Sequence, residues 1–167
     1  YSRKYSISGP GGDKLVDAYV TNNVSIDLPG GSGKGHAMLV LAEDYLELRN
    51  YLGTDVHGIL GYELFSRFIV EIDYQKKLLT LMTPDRFGKR GKFQAIPMVI
   101  EDTKPYIIVP LVLQDGTAID AKLLVDSGAS HGLMLETSSD PRVKVPELTV
   151  SSLLGRGLGG EIFGKVG

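Results

Sequence analysis

The chain has 167 residues, a net charge of −2 and no cysteine. That length holds one compact domain or two small lobes. The missing cysteines exclude thiol catalysis, disulfides and thiolate metal sites, and the lack of a basic excess leaves nothing to attract nucleic acid. A hydrophobic content of 43% supports a packed core, yet no apolar run reaches the length of a membrane span. With 21 Gly and 8 Pro among many Val, Ile, Leu and Tyr, the composition is that of a turn-rich β protein. The chain opens at Tyr1 rather than Met, so it is read as a processed or trimmed piece. That leaves room for a removed signal peptide or lipid anchor and favours a cell-envelope or secreted location.

Residues 1–8 read as a strand, and Gly9-Pro10-Gly11-Gly12-Asp13 as a tight turn. Residues 15–20 and 23–28 follow as two strands, the second with clean alternation. Residues 29–35 read as a loop. A phosphate-loop reading fails there, because Leu28 and Gly35 stand where Gly and Ser/Thr are needed. Residues 36–41 are expected as a strand. Residues 43–52 are expected as a helix, with Tyr45, Leu48 and Leu52 on one face and acids in the first turn. Beyond Val56-His57-Gly58-Ile59-Leu60-Gly61 come strands at 68–74 and 78–81, joined by a turn at 75–77. Residues 84–94 are basic and polar and are read as a linker. Strands are then expected at 95–100, 106–113 and 118–125, with a hairpin turn at Asp115-Gly116. A short strand at 133–135, a polar loop at 137–147, a strand at 148–154 and a Gly-rich tail complete the chain.

The stretch most charged with chemistry is Leu123-Leu124-Val125-Asp126-Ser127-Gly128-Ala129-Ser130. Three apolar residues run into one acid, and an unpaired buried carboxylate is costly unless it is used or well bonded. Gly128 permits a sharp turn, while Ser127 and Ser130 bring hydroxyl groups. Asp-Ser-Gly is also ordinary turn chemistry, so a plain strand-to-turn junction is the competing reading. The segment resembles the Asp-[Thr/Ser]-Gly-[Ala/Ser] active-site turn of aspartic proteases, above all the retropepsin-like group. Ile59-Leu60-Gly61 resembles that family's second motif, a hydrophobic-hydrophobic-Gly segment that packs under the catalytic turn. There Gly61 would allow close backbone crossing, and Ile59 and Leu60 would supply buried packing.

The order of the two motifs is reversed relative to a single family lobe, which a duplication out of phase explains. Gly9-Pro10-Gly11-Gly12-Asp13 matches Gly157-Leu158-Gly159-Gly160-Glu161 at an offset of 157 − 9 = 148. Residues 1–83 then resemble the flap and back half of a first lobe, 84–94 the linker, and 95–167 the front half of a second lobe ending in its flap. Gly155-Arg156-Gly157-Leu158-Gly159-Gly160 also fits G-x-G-x-x-G, but the Gly-rich sequence after it cannot open the helix that a dinucleotide site needs. His36, His57 and His131 lack ligand spacing with acids, so no metal is expected. Tyr5 is either a flap aromatic or a strand-surface tyrosine.

The resemblance implies a mainly β acid-protease fold of closed barrel lobes with one or two short helices. It implies peptide hydrolysis by two carboxylates and a water, with no cofactor and with a peptide or unfolded protein as substrate. Asp126 would be one carboxylate, Ser127 would brace the paired turns, Gly128 would face the substrate backbone, and Gly157, Leu158, Gly159 and Gly160 would form a mobile flap. No other Asp precedes Ser-Gly or Thr-Gly in this chain. The repeat places the second acid near 126 − 148 = −22, upstream of Tyr1; a homodimer is the other source. The alternatives are a non-catalytic peptide-binding or dimerisation module of the same fold, and a β domain with no protease relation.

Overall fold

A computed structural model describes residues 3–88, 91 and 93–167. Tyr1 and Ser2 of the expected first strand, and Lys89, Arg90 and Lys92 of the expected linker, lie outside the described residues. The chain is mainly β, with 46% strand and 7% helix, as expected. It divides into two compact units, Tyr1–Val56 with Val145–Gly167, and His57–Lys144. This division differs from the expected one at 84–94, because the last strands join the first ones.

The first unit is built on β1 (Arg3–Ile7), β2 (Val16–Leu28) and β3 (Gly31–Leu41), an antiparallel sheet with β2 in the middle. Val16 and Ala18 on β2 are its buried residues, at 2% and 0% exposure. The two strands expected over 15–28 are one, broken only by register shifts around Val24, where Asn23 takes φ 60. Asn tolerates this left-handed conformation better than most residues, so the strand bends there without ending. The expected loop at 29–35 shrinks to a Pro29-Gly30 turn with Gly30 at φ 91, and Leu28 pairs directly with Gly31. Proline fixes the first turn position and glycine supplies the positive φ of the second.

The helix expected over 43–52 covers only α1 (Leu48–Leu52). Asp44 Oδ1 accepts the Glu47 N–H at 2.9 Å, and Glu47 sits at φ 48. The acid thus forms a local turn that competes with the first helical turn. Gly53 ends the helix at φ 69, its N–H donating to Arg49 O at 2.9 Å. The antiparallel hairpin β9 (Val150–Gly157) and β10 (Gly160–Val166) completes this unit.

The second unit opens with α2 (Tyr62–Phe65) and the hairpin β4 (Ile69–Asp73) and β5 (Leu78–Met82), then a 3₁₀ turn at Pro84–Arg86. A three-stranded meander follows: β6 (Met98–Glu101), β7 (Lys104–Val112) and β8 (Ala118–Leu124). Asp102 and Thr103 both take positive φ, as a two-residue hairpin turn of this hand demands. Period-two alternation sends Ile119, Ala121 and Leu123 of β8 inward, where Val143, Leu111, Leu113 and Leu135 pack against them. On the other side of the meander β6 pairs only with β7 among the described residues, which leaves its outer edge unpaired there. Leu133-Met134-Leu135 is not the expected strand; among the described residues no strand pairs with it, and only Leu135 reaches the core.

The expected closed barrel is not formed. The sheets have three, two, two and three strands, and none closes on itself among the described residues. Each pairing joins strands adjacent in sequence, so the strand set lacks the long-range pairs that closure requires.

The polar loop over 137–147 is tied to the core of the second unit by Asp140. Its carboxylate accepts Arg142 N–H and Nε–H at Oδ1 (2.8 and 2.9 Å) and Arg142 NH2 at Oδ2 (2.7 Å). The next residue, Val143, enters the core. Hydrogen bonds from the Arg142 guanidinium hold the Asp140 carboxyl at about 2, below its ordinary 3.8. A depressed carboxyl stabilises the fold above its unfolded value and stops doing so as pH falls through the folded one. The denaturation midpoint of wild type should therefore exceed that of Asp140→Asn above about pH 4. The gap should close as the pH falls to about 2, and urea titrations across this range check it.

Candidate functional site

Asp126 lies in the second unit, just past the end of β8. The Val125 N–H donates to Pro105 O at 2.9 Å, so pairing with β7 persists up to the residue before the acid. Asp126 then closes its own turn. Its Oδ1 accepts the Gly128 N–H at 2.8 Å, and its carbonyl oxygen accepts the Ala129 N–H at 3.3 Å. No bond to Oδ2 occurs among the described residues. Asp126, Ser127, Gly128, Ala129 and Ser130 are all exposed. A Cβ at Gly128 would meet only Asp126 Oδ1, at 3.2 Å, so no second chain segment crosses close to it here.

Ile59, Leu60 and Gly61 do not supply the expected buried packing. Ile59 is 68% exposed and Leu60 48%, and nothing lies within 4 Å of a Cβ built on Gly61. Residues 55–61 lie outside any helix or strand, and the Ile59 and Leu60 side chains stay in solvent. Tyr62 and Phe65 beside them on α2 are exposed as well.

The matched glycine segments lie together in the first unit. Gly159 N–H donates to Pro10 O at 2.9 Å. A Cβ on Gly157 would lie 2.2 Å from Pro10 O, and one on Gly9 would lie 3.0 Å from Leu158 Cβ. A Cβ on Gly11 would lie 2.1 Å from Gly160 O, and one on Gly159 would lie 2.5 Å from Gly12 O. These contacts are reciprocal under the 148-residue offset. Exchanging the two segments turns the Gly9–Leu158 contact into the Gly157–Pro10 contact, and the Gly11–Gly160 contact into the Gly159–Gly12 contact. Gly12 and Gly160, equivalent under the same offset, both take φ 133. The two segments therefore meet as an isologous pair about a local pseudo-two-fold axis. The expectation of a mobile flap changes accordingly, since the Gly157–Gly160 tip is seated on its counterpart.

Sequence reasoning missed the anchor beside this pair. Arg156 Nε–H donates to Tyr45 O at 2.9 Å, and its NH2 lies 2.9 Å from Glu47 Oε1. These partners are over a hundred residues away in the chain and carry no motif. Tyr5 is on the exposed surface of β1, with the Arg3 guanidinium 5.3 Å from its ring centroid. In the second unit a shallow groove of about 290 Å³ lies over Val99, Tyr106 and Ile108, beside the Lys122–Glu101 ion pair. Among the described residues no three His, Asp or Glu side chains form a metal-sized cluster, and no helix is long and apolar enough to cross a membrane. Comparison with protein-family models, curated proteins and solved structures returns no match.

Gly159→Ala should destabilise the protein by about 1–3 kcal/mol, because its methyl group meets backbone that cannot swing aside. Gly155→Ala, in the same hairpin with nothing within 4 Å of its Cβ, should change stability by no more than about 0.5 kcal/mol. Chemical denaturation of the two variants beside wild type makes the comparison; equal stabilities would show that the tip contact does not form in solution.

Proposed function

We propose that the chain forms part of a retropepsin-like aspartic endopeptidase in which Asp126 supplies one of two catalytic carboxylates. The reciprocal packing of the two glycine segments is the observation that carries this reading. Two equivalent Gly-rich elements joined at their tips are what a duplicated lobe with paired flaps would contain. The Asp126 turn adds a carboxylate with one oxygen fixed by the Gly128 N–H and the other open.

Two carboxylates about 3 Å apart cannot both ionise, so a dyad splits into a base and an acid. The ionised member takes a proton from water as the water oxygen adds to the scissile carbonyl carbon. The protonated member donates to the carbonyl oxygen. Collapse of the tetrahedral adduct then breaks the C–N bond, and the departing amine takes up a proton. Residues 1–167 hold no second Asp-Ser-Gly or Asp-Thr-Gly turn. The partner acid is therefore assigned to polypeptide upstream of Tyr1, with a second copy of Asp126 across a two-fold axis as the other source. Closure of the barrel lobes belongs to the same proposal, since it too needs further strands.

The exposed apolar side chains Ile59, Leu60, Tyr62 and Phe65 favour the second reading, a non-catalytic association module of this fold, and cleavage separates the two readings.

Asp126→Asn keeps the shape of the side chain and removes the base. In a form that cleaves unfolded casein, the variant should lose at least about 10³-fold in kcat/KM while its circular dichroism is unchanged. Turnover near the wild-type rate would remove Asp126 from the chemistry. Binding of the same casein without any cleavage, by forms extended upstream as well as by residues 1–167, would favour the association module.

A further inference from the structure

The two glycine tips are equivalent, but their supports are not. Beside the tip of the second hairpin, Arg156 is half-buried and reaches back across the unit to the segment between β3 and α1. Its Nε–H donates to Tyr45 O at 2.9 Å, and its NH2 lies 2.9 Å from Glu47 Oε1. That segment is itself braced: Asp44 Oδ1 accepts the Glu47 N–H at 2.9 Å, and Glu47 Oε2 accepts Asn50 Nδ2–H at 3.1 Å. Glu47 thus uses one oxygen for Arg156 and the other for α1. The offset of 148 makes Ser8 the counterpart of Arg156, since 156 − 148 = 8. Ser8 is exposed, and its side chain is far too short for a comparable bridge.

We propose that Arg156 is a positioning residue that fixes the second glycine hairpin on residues 45–47, and so sets how readily the paired tips separate. Arg156 lies next to the tip. It holds the β9 end while Gly159 N–H reaches Pro10 O. A planar guanidinium can satisfy a carbonyl and a carboxylate together through different N–H groups, and a lysine ammonium on a flexible stem does this poorly. The pair is therefore one-sided: the second hairpin is clamped, and the first rests on the glycine contact and its own sheet. The bearing of this clamp on catalysis rests on the protease reading above, while its effect on tip opening does not.

Amide hydrogen exchange on the 167-residue chain reads the clamp directly, without any need for activity. In Arg156→Met, which keeps most of the apolar stem, exchange at Gly159 and Glu161 should speed up about three- to tenfold, while amides of β7 and β8 in the other unit stay unchanged. Glu47→Gln should give a smaller change in the same direction, and Arg156→Lys should recover only part of the protection. The double variant Glu47→Gln/Arg156→Met should exchange no faster at the tip than Arg156→Met alone, because both changes remove one interaction. Raising the salt concentration should speed tip exchange in wild type and leave Arg156→Met insensitive, as expected for a partly exposed ion pair. Unchanged tip protection in Arg156→Met would overturn the proposal, and so would additive effects in the double variant. If Arg156→Met exposes the whole first unit, Glu47→Gln decides: slower or equal tip exchange there overturns the clamp. Failure of Asp126→Asn to affect cleavage would sink the protease reading and leave this result standing.

Discussion

The joining of the two sheets of the first unit depends on one contact made mainly of backbone, the meeting of Gly9–Gly12 with Gly157–Gly160. Backbone lies against backbone there, with carbonyl oxygens within 2.1 to 2.5 Å of where methyl groups would stand. Only glycine allows that approach, and only glycine adopts φ 133 readily at both Gly12 and Gly160. The contact is what draws the last two strands of the chain into the same unit as the first three. It gains little from apolar burial, so its persistence rests on shape, on the Gly159–Pro10 hydrogen bond and on the Arg156 anchor behind it.

The second unit solves a different problem. Its small core of Ile119, Ala121 and Val143 anchors β8, the strand that leads to Asp126. β8 contributes two of these residues from its inward face, and the loop carrying Val143 is secured by the Asp140–Arg142 fork. Arg142 NH1 also reaches Ala118 O at 3.4 Å, so the loop grips the start of the strand whose far end bears the acid. These contacts secure the start of β8, while the turn that holds the carboxylate lies in solvent.

Much of this was legible in the sequence where local rules govern. Alternation located most of the strands, and Asp115-Gly116 marked its turn. The glycine match at an offset of 148 foretold two equivalent elements but not that they touch, because sequence identity carries no distance. The helix over 43–52 was overestimated, since Asp44 could satisfy the Glu47 N–H in a turn as well as start a helix. Ile59 and Leu60 read as core because they are apolar, yet burial needs an opposing surface as well as a hydrophobic side chain. Arg156 was invisible for a related reason: its partners are a carbonyl oxygen and a carboxylate brought near only by the fold.

The edge that β6 leaves unpaired among the described residues has a consequence for how the protein behaves in solution. A short apolar strand with open backbone groups is a template for intermolecular pairing, the route to fibres and precipitates. Here the strand is only four residues long, Met98–Glu101. Pro97 precedes it with no N–H to offer, and Glu101 closes it with a charge already committed to Lys122. A proline at one end and an ion pair at the other leave an incoming strand too few donors and acceptors to build a long ladder. The same edge can accept a native neighbour of matched length while discouraging indefinite growth, so colloidal stability is written into the two residues that bracket it.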